Sequence, residues 1–137
     1  MLALEVLPQL VRECDSELLA GPLEQHLEET RGHVDRVEAV FGAVGVEPTS
    51  AASAALEGLQ RQHDQHIGEA VQPRLRDLFL IDCATRTEAL ESALYVSALA
   101  VASLLEVDAS PLAANRAEED AARRALEAAR TSLLERA

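Results

Sequence analysis

Aromatic and structure-breaking residues are scarce in this sequence. Phe, Tyr and Trp make up 2% of its 137 residues, Trp is absent, and there are only 6 Gly and 5 Pro. The chain contains no glycine-rich loop of the kind that cradles phosphate, no Gly-x-Ser-x-Gly motif and no Cys-x-x-Cys motif. The sequence therefore lacks the usual signatures of nucleotide-binding proteins, serine hydrolases and thiol redox enzymes, and we assign no catalytic residue.

Basic residues are also in the minority. The chain has 12 Lys and Arg against 24 Asp and Glu, which gives a formal net charge of −12. Phosphate backbones and anionic lipid headgroups repel such a chain, so neither nucleic acid nor a membrane surface is expected as a partner. The most apolar run, residues 92–107, is near the lower length limit for a spanning helix and is rich in Ala and Ser. It favours a buried helix or a subunit contact.

Cysteine usage and the N-terminal pattern bear on the compartment. Cys14 and Cys83 lie far apart and have no metal-type spacing, so we interpret both as small buried hydrophobic residues in a reducing environment. Met1 is followed by neither a basic n-region nor a small-residue cleavage site, so no secretory signal is expected. The predicted localisation is cytoplasmic.

The remaining composition favours helices. Ala, Leu, Val, Glu and Arg dominate, and the length fits a single domain over residues 1–137. Tight connections at 21–22 and 107–110 predict two antiparallel hairpins, with a shorter helix in the long link between them. We predict an all-α, ferritin-like four-helix bundle with a short extra helix in the crossover between helices two and three. The predicted helices cover about 2–20, 22–44, 51–71, 74–106 and 111–135, with Thr49 or Ser50 capping the third and Ser110 the last.

The second predicted helix carries a possible ligand array on one edge. His26, Glu29 and His33 follow one another at offsets of three and four residues, which places them on the same flank of the helix. Neutral imidazole and carboxylate at this spacing can hold a divalent first-row metal ion. The alternative is a solvated helix edge on which Glu29 and His33 support each other at i, i+4.

The last predicted helix places a carboxylate inside its apolar stripe. Glu119 lies near the stripe centre, and an inward carboxylate is costly unless it is paired or metal-bound. Arg123 follows four residues later and is also nearly central, so we predict a within-helix ion pair in which Arg123 compensates the charge of Glu119. A metal ion, or a charge from another helix, is the alternative.

Two further groups of polar residues stand out. Glu88 and Glu91, in the sequence "EALE", are three residues apart and can bridge two metals or share a proton, or they form an exposed acidic edge. His63 and His66 lie in "QRQHDQH", which is polar throughout, so a solvated face is predicted there.

Several segments together resemble one protein family. The sequences "LEQHLEETRGHVDRVEAVF" at 23–41, "RDLFLID" at 76–82, "TEALESALY" at 87–95 and "AEED" at 117–120 are similar to the YciF-like family of ferritin-like, stress-associated bacterial proteins. The resemblance spans nearly the whole chain. It implies a four-helix bundle with a short crossover helix, a homodimer, and a two-metal carboxylate/histidine site between the long helices.

The resemblance also assigns ligands residue by residue. Glu29 and His33 match the acidic/polar pair of the family's second helix, Glu88 and Glu91 match the acids of its "EHYE" element, and Glu119 matches an acid of its fourth helix. The chain departs from the family where Ala89-Leu90 replaces "HY", where Arg123 stands in place of an expected acid, and where a first-helix acid is missing.

These departures favour a dimeric helical scaffold or binding protein that is not an enzyme, has a degenerate di-metal site and needs no cofactor. The alternative is a di-iron or di-manganese carboxylate protein with oxidase-like or peroxide-handling activity.

Overall fold

The computed structural model of the chain describes residues 2–49 and 53–136, and within them every regular element is helical. The prediction of an all-α fold is therefore confirmed. None of the described helices is long and apolar enough to cross a membrane. The helices are α1 (Leu2–Glu13), α2 (Glu17–Val44), α3 (Ala54–His66), α4 (Pro73–Leu104) and α5 (Ser110–Glu135), and a 3-10 turn, Ile67–Glu69, follows α3.

The first break in the chain lies earlier than predicted. α1 ends at Glu13 and α2 begins at Glu17, so the predicted break at Gly21–Pro22 is wrong. Ser16 starts α2 because its extended backbone and its side chain form an N-cap, with Oγ accepting the Leu18 N–H at 3.2 Å. A strong cap therefore fixes the start of α2 upstream of the proline.

α2 continues through Pro22 because packing outweighs the local cost of the proline. The ring removes one backbone hydrogen bond near the start of the helix. Leu19 and Leu23, on either side of it, are 0% and 2% exposed and belong to the central core. Burying two leucine side chains contributes roughly 3–6 kcal/mol, which is comparable to or larger than the cost of a proline in a helix.

The predicted caps elsewhere are only partly right. Gly45 closes α2 in the left-handed conformation, at φ 70°, as its position at the end of the apolar stripe indicates. Ser53, rather than Thr49 or Ser50, caps α3, and Ser50 lies outside the described residues. Ser110 is already the first residue of α5 rather than its N-cap.

Four helices share one apolar core, to which α3 adds no side chain. α3 packs on α4 and on α1, and its single buried residue is His63. The apolar core lies beside a layer of buried polar side chains from α2, α4 and α5. The core consists of Leu7, Leu10, Leu19, Leu23, Leu80, Ile81, Ala84, Leu126, Ala129 and Leu133. The polar layer consists of His26, Thr30, His33, Glu88, Glu91, Ser92, Asn115 and Glu119.

A buried carboxylate fixes the turn between α1 and α2. Asp77 of α4 is 1% exposed, and its Oδ1 accepts the Asp15 N–H at 2.8 Å. We expect Asp77→Ala to lower the free energy of unfolding by about 1–3 kcal/mol, because this backbone donor loses its acceptor. Urea unfolding followed by circular dichroism measures the change. Asp82→Ala, which removes an exposed carboxylate of the same helix, is the matched control, and equal effects would contradict the assigned role.

Candidate metal centre

His26 is the residue at which three helices meet. Its imidazole projects from α2 into the polar layer, where Nε2 lies 2.9 Å from Oε2 of Glu88 on α4 and 3.3 Å from Oε2 of Glu119 on α5. All three residues are at most 3% exposed. One donor atom from each lies within 4.8 Å of the others, so His26, Glu88 and Glu119 form a compact group that could hold a metal ion.

His33 extends this group along α2. Its Nδ1 lies 2.9 Å from Oε1 of Glu119, and its Nε2 lies 2.8 Å from Oε2 of Glu118. The ring is 1% exposed, and its centroid is 6.1 Å from that of His26. Glu119 therefore lies between two imidazoles. Its position in the apolar stripe of α5 predicted a positively charged partner, and the two histidines supply it.

A hydrogen-bonded network covers the far side of His33. Arg36 donates to Oε2 of Glu118 at 2.8 Å and to Oδ1 of Asn115 at 3.0 Å. Asn115, itself fully buried, donates from Nδ2 to the His33 carbonyl at 3.1 Å and to the Tyr95 hydroxyl at 3.1 Å. These bonds fix the orientation of the His33 ring and tie the three helices together at this end of the cluster.

The other two predicted ligands lie at different depths. Glu91, one turn after Glu88, is buried at 9% exposure, and its carboxylate adjoins that of Glu119. Glu29 lies at the rim of the cluster, where its side chain is 26% exposed and its Oε2 is 3.5 Å from Nδ1 of His26. The structure thus brings His33, Glu88, Glu91 and Glu119 together in the interior and leaves Glu29 facing solvent.

The donor atoms of the cluster suit a cation. Although the distances from His26 to Glu88 and Glu119 are short, neither contact has hydrogen-bond alignment. Within residues 2–49 and 53–136, His26 Nε2, Glu88 Oε2 and Glu119 Oε2 have no other partner. Buried polar atoms are normally hydrogen-bonded, and a metal ion would satisfy these converging nitrogen and oxygen atoms, which lack aligned hydrogen-bond partners among the described residues. The residues present therefore fit a divalent metal.

Without a metal, protons balance the charge of the cluster. Burial alone would lower the pKa of His26, but the Glu119 and Glu88 carboxylates outweigh it and raise that pKa to about 11. Burial and the neighbouring Glu119 raise the pKa of Glu91 to about 7, and burial also raises the pKa of Glu88. Burial opposes ionisation of Glu119, yet the two imidazoles hold its pKa below the usual range. The metal-free cluster is an imidazolium–carboxylate array.

Arg123 does not take part in this balance, so the predicted Glu119–Arg123 ion pair is wrong. Its side chain is 45% exposed and approaches Asp120, with 3.7 Å between Nη2 and Oδ1. Glu119 is instead balanced by His26 and His33, which reach it from the facing helix.

We expect Arg123→Ala to change the free energy of unfolding by less than about 0.5 kcal/mol, because an exposed ion pair contributes little. Thermal and urea unfolding measure the effect. A decrease of several kcal/mol in the free energy of unfolding would instead mean that Arg123 balances the charge of Glu119.

The histidines of α3 divide between interior and surface. His66 is exposed, as predicted, but His63 is 2% exposed, and the prediction of a solvated face is wrong for it. Its ring stacks on Phe79 with centroids 5.8 Å apart, and Nε2 lies 2.7 Å from Oε2 of Glu13. His63 thus attaches α3 to α1 and α4, away from the buried cluster.

Sequence reasoning only partly identified the cluster residues. Helical arithmetic placed His26 on the same edge as His33, but the family resemblance did not include it among the ligands. The seven-residue separation of His26 and His33, two turns on one face, is the signal that could have added it. Glu118 had no signal of its own, because only the facing helix gives it a partner.

Comparisons with known proteins identify relatives of the chain. A protein-family model described as "Domain of unknown function (DUF892)" matches residues 1–137. No curated protein matches the chain. Among solved structures, the chain is similar to "YcfI, a putative structural protein from Rhodopseudomonas palustris", with 29% sequence identity and a TM-score of 0.88, over 91% of this chain and 81% of that one. These similarities indicate a shared helical architecture and assign no chemistry to the buried cluster.

Proposed function

Because the chain belongs to the DUF892 family, we propose that it is a ferritin-like, YciF-like helical protein that binds one divalent metal ion between α2, α4 and α5. The observation that carries this proposal is the convergence in the protein interior of donor atoms from His26, Glu88 and Glu119 that lack aligned hydrogen-bond partners in the described part of the chain. The mixed nitrogen and oxygen donors suit iron(II) or manganese(II). Bound there, the ion would join three helices and supply the positive charge that protons supply without it.

A structural role for the ion fits the surrounding residues better than catalysis. His33 is engaged by Glu118 and Glu119, and Asn115 holds its backbone carbonyl. The protein would then serve as a cytoplasmic, stress-associated scaffold or binding protein, in keeping with the description of YcfI as "a putative structural protein". We also propose a homodimer, since the end of α4 exposes large apolar side chains, among them Val101 at 56% and Leu104 at 82%.

A second candidate function is that of a two-metal oxidase-like or peroxide-handling protein. The buried Glu91 beside Glu119 favours it, because a further carboxylate next to the first site would suit a second ion. Two iron or manganese ions would supply redox chemistry, while His33, Glu91 and Glu119 would hold the second ion.

Metal stoichiometry separates the two functions. The protein is equilibrated with Mn(II) or, anaerobically, with Fe(II), and its metal content is measured by elemental analysis after dialysis. We expect one ion per chain, and no near-ultraviolet absorption band when the Fe(II)-loaded protein meets air. Two ions per chain and such a band would favour the oxidase-like function. His26→Gln should abolish retention, whereas the matched variant of an exposed histidine, His66→Gln, should not. A wild-type protein that retains no metal would contradict both functions.

A further inference from the structure

An open pocket leads from solvent to the buried cluster. It lies between α2 and α5, has a volume of about 360 Å³, and includes His26 in its lining. Glu29 and Gln25 stand at its rim, where Gln25 donates a 3.0 Å hydrogen bond to Oε1 of Glu29. The remaining lining residues are Gly21, Pro22, Ala121, Ala122 and Ala125.

His26 connects this pocket to the interior. The ring is 3% exposed and carries two differently placed nitrogen atoms. Nε2 faces Glu88 and Glu119, whereas Nδ1 is 3.5 Å from the carboxylate of Glu29 at the rim. In the part of the chain that the structure describes, Nδ1 has no aligned hydrogen-bond partner. A buried, unpartnered donor atom therefore lies next to the rim of the pocket.

The charge of the pocket favours cations. Its lining includes the carboxylate of Glu29 but no Lys or Arg, and its α5 wall consists of three alanines. A negative rim attracts cations and repels anions. The opposite edge of the cluster is covered by the hydrogen-bonded network of Arg36, Glu118 and Asn115.

We propose that this pocket is the entry route by which a hydrated divalent cation reaches the buried site, with Glu29 as an outer carboxylate that binds the ion transiently. The inference rests on the proposed metal binding. It adds the path by which the ion enters and a role for Glu29 in its uptake. Glu29 acts before the ion is bound internally, so its removal affects the rate of uptake far more than the final affinity.

Stopped-flow absorption of Co(II), added alone to the metal-free full chain, tests the role of Glu29. We expect Glu29→Gln to slow uptake about three- to tenfold, since a carboxylate at the pocket rim raises the local concentration of cations. Glu38→Gln, an exposed site on the same helix, loses the same charge away from the pocket and should change the rate less than about twofold.

Narrowing the pocket tests the route itself. Ala125→Leu places a larger side chain in the wall, so we expect about tenfold slower uptake and an equilibrium affinity within about threefold, because entry and exit slow together. Ala128→Leu is the control, since it makes the same change at an exposed position of α5 outside the pocket. Should Ala125→Leu melt well below the wild type, Ala121→Leu, at the exposed edge of the same wall, replaces it.

The outcomes separate this inference from the function on which it rests. Wild-type protein that takes up Co(II) at a rate unchanged by Glu29→Gln and by the wall variants would overturn the entry route and leave metal binding intact. A Glu29→Gln variant whose affinity falls by 100-fold or more would make Glu29 a ligand of the bound ion and would also overturn it. Wild-type protein that takes up no Co(II) would overturn both proposals.

Discussion

Replacing Glu119 with alanine is expected to lower the free energy of unfolding of the metal-free protein by about 3–5 kcal/mol, because breaking a buried ion pair leaves uncompensated charge in the interior. Two imidazoles depend on this one carboxylate, His26 at 3.3 Å and His33 at 2.9 Å. Glu88 and Glu118 remain close to those rings, so the imidazoles keep part of their pairing and the effect stays below that of two broken pairs. The same variant should retain no metal.

Urea unfolding at neutral pH measures the first effect, and elemental analysis after dialysis against Mn(II) measures the second. The control is Glu127→Ala, which removes an exposed carboxylate of the same helix that pairs with Arg130. That variant should lose less than about 1 kcal/mol. If the two variants lost similar stability, Glu119 would be a solvated group rather than the centre of a buried array.

The apparent affinity for Mn(II) is expected to rise at least about 100-fold between pH 5.5 and pH 7.5, because metal binding must displace at least one proton and each displaced proton contributes about tenfold per pH unit. His26 supplies that proton, since its pKa of about 11 keeps the ring protonated in the metal-free protein throughout this range. Only a neutral imidazole can coordinate. Titration of free Mn(II) by electron paramagnetic resonance measures the affinity, and a pH-independent value would mean that His26 is already neutral.

The stability of the metal-free protein should change with pH in the opposite direction. His26 has a raised pKa in the folded state, so its contribution is complete below its unfolded pKa of 6.5 and is lost as the pH rises toward about 11. Glu91 is a carboxyl group whose folded pKa is raised from 4.5 to about 7, so its contribution is lost across that interval. Thermal unfolding should therefore show a lower melting temperature at pH 8.5 than at pH 5.5. Saturating Mn(II) should reduce or reverse the difference.

The helical fold could be predicted from composition and periodicity because both are local properties. The end of α1 could not, because the chain offers two competing signals there. Gly21-Pro22 indicates a break on local grounds, whereas Ser16 caps a helix whose next leucines, Leu19 and Leu23, are buried by other helices. Tertiary burial decides between the two signals, and it is absent from any one segment of sequence.

The buried acidic residues of the site could be predicted from the sequence, but the positively charged groups that balance them could not. Buried positions on α5 alternate in steps of three and four through Asn115, Glu119, Ala122 and Leu126. The buried positions repeat every 3.5 residues on average, which is slightly less than the 3.6 residues of an ideal helical turn. The next buried position after Glu119 is therefore three residues on, at Ala122, and not four residues on, at Arg123. The imidazoles that balance Glu119 in place of Arg123 belong to α2, and their contact with α5 depends on how the helices pack against one another.

His63 shows the same limit in a different setting. Its sequence neighbours are polar, which suggests an exposed face, yet the ring is buried against Phe79 and Glu13. The signal that could have placed it inward is its spacing of four and seven residues from Leu59 and Leu56, which are half-buried on the same side of α3.

The three donors of the cluster come from positions 26, 88 and 119, which the chain separates by several helical segments. An ion at this place would act as a non-covalent crosslink that closes two long loops. The crosslink cannot nucleate folding, since no pair of its ends is near in sequence before the helices have assembled. It should act instead on the lifetime of the native state: the loaded protein would unfold far more slowly, while its refolding rate would match that of the metal-free chain.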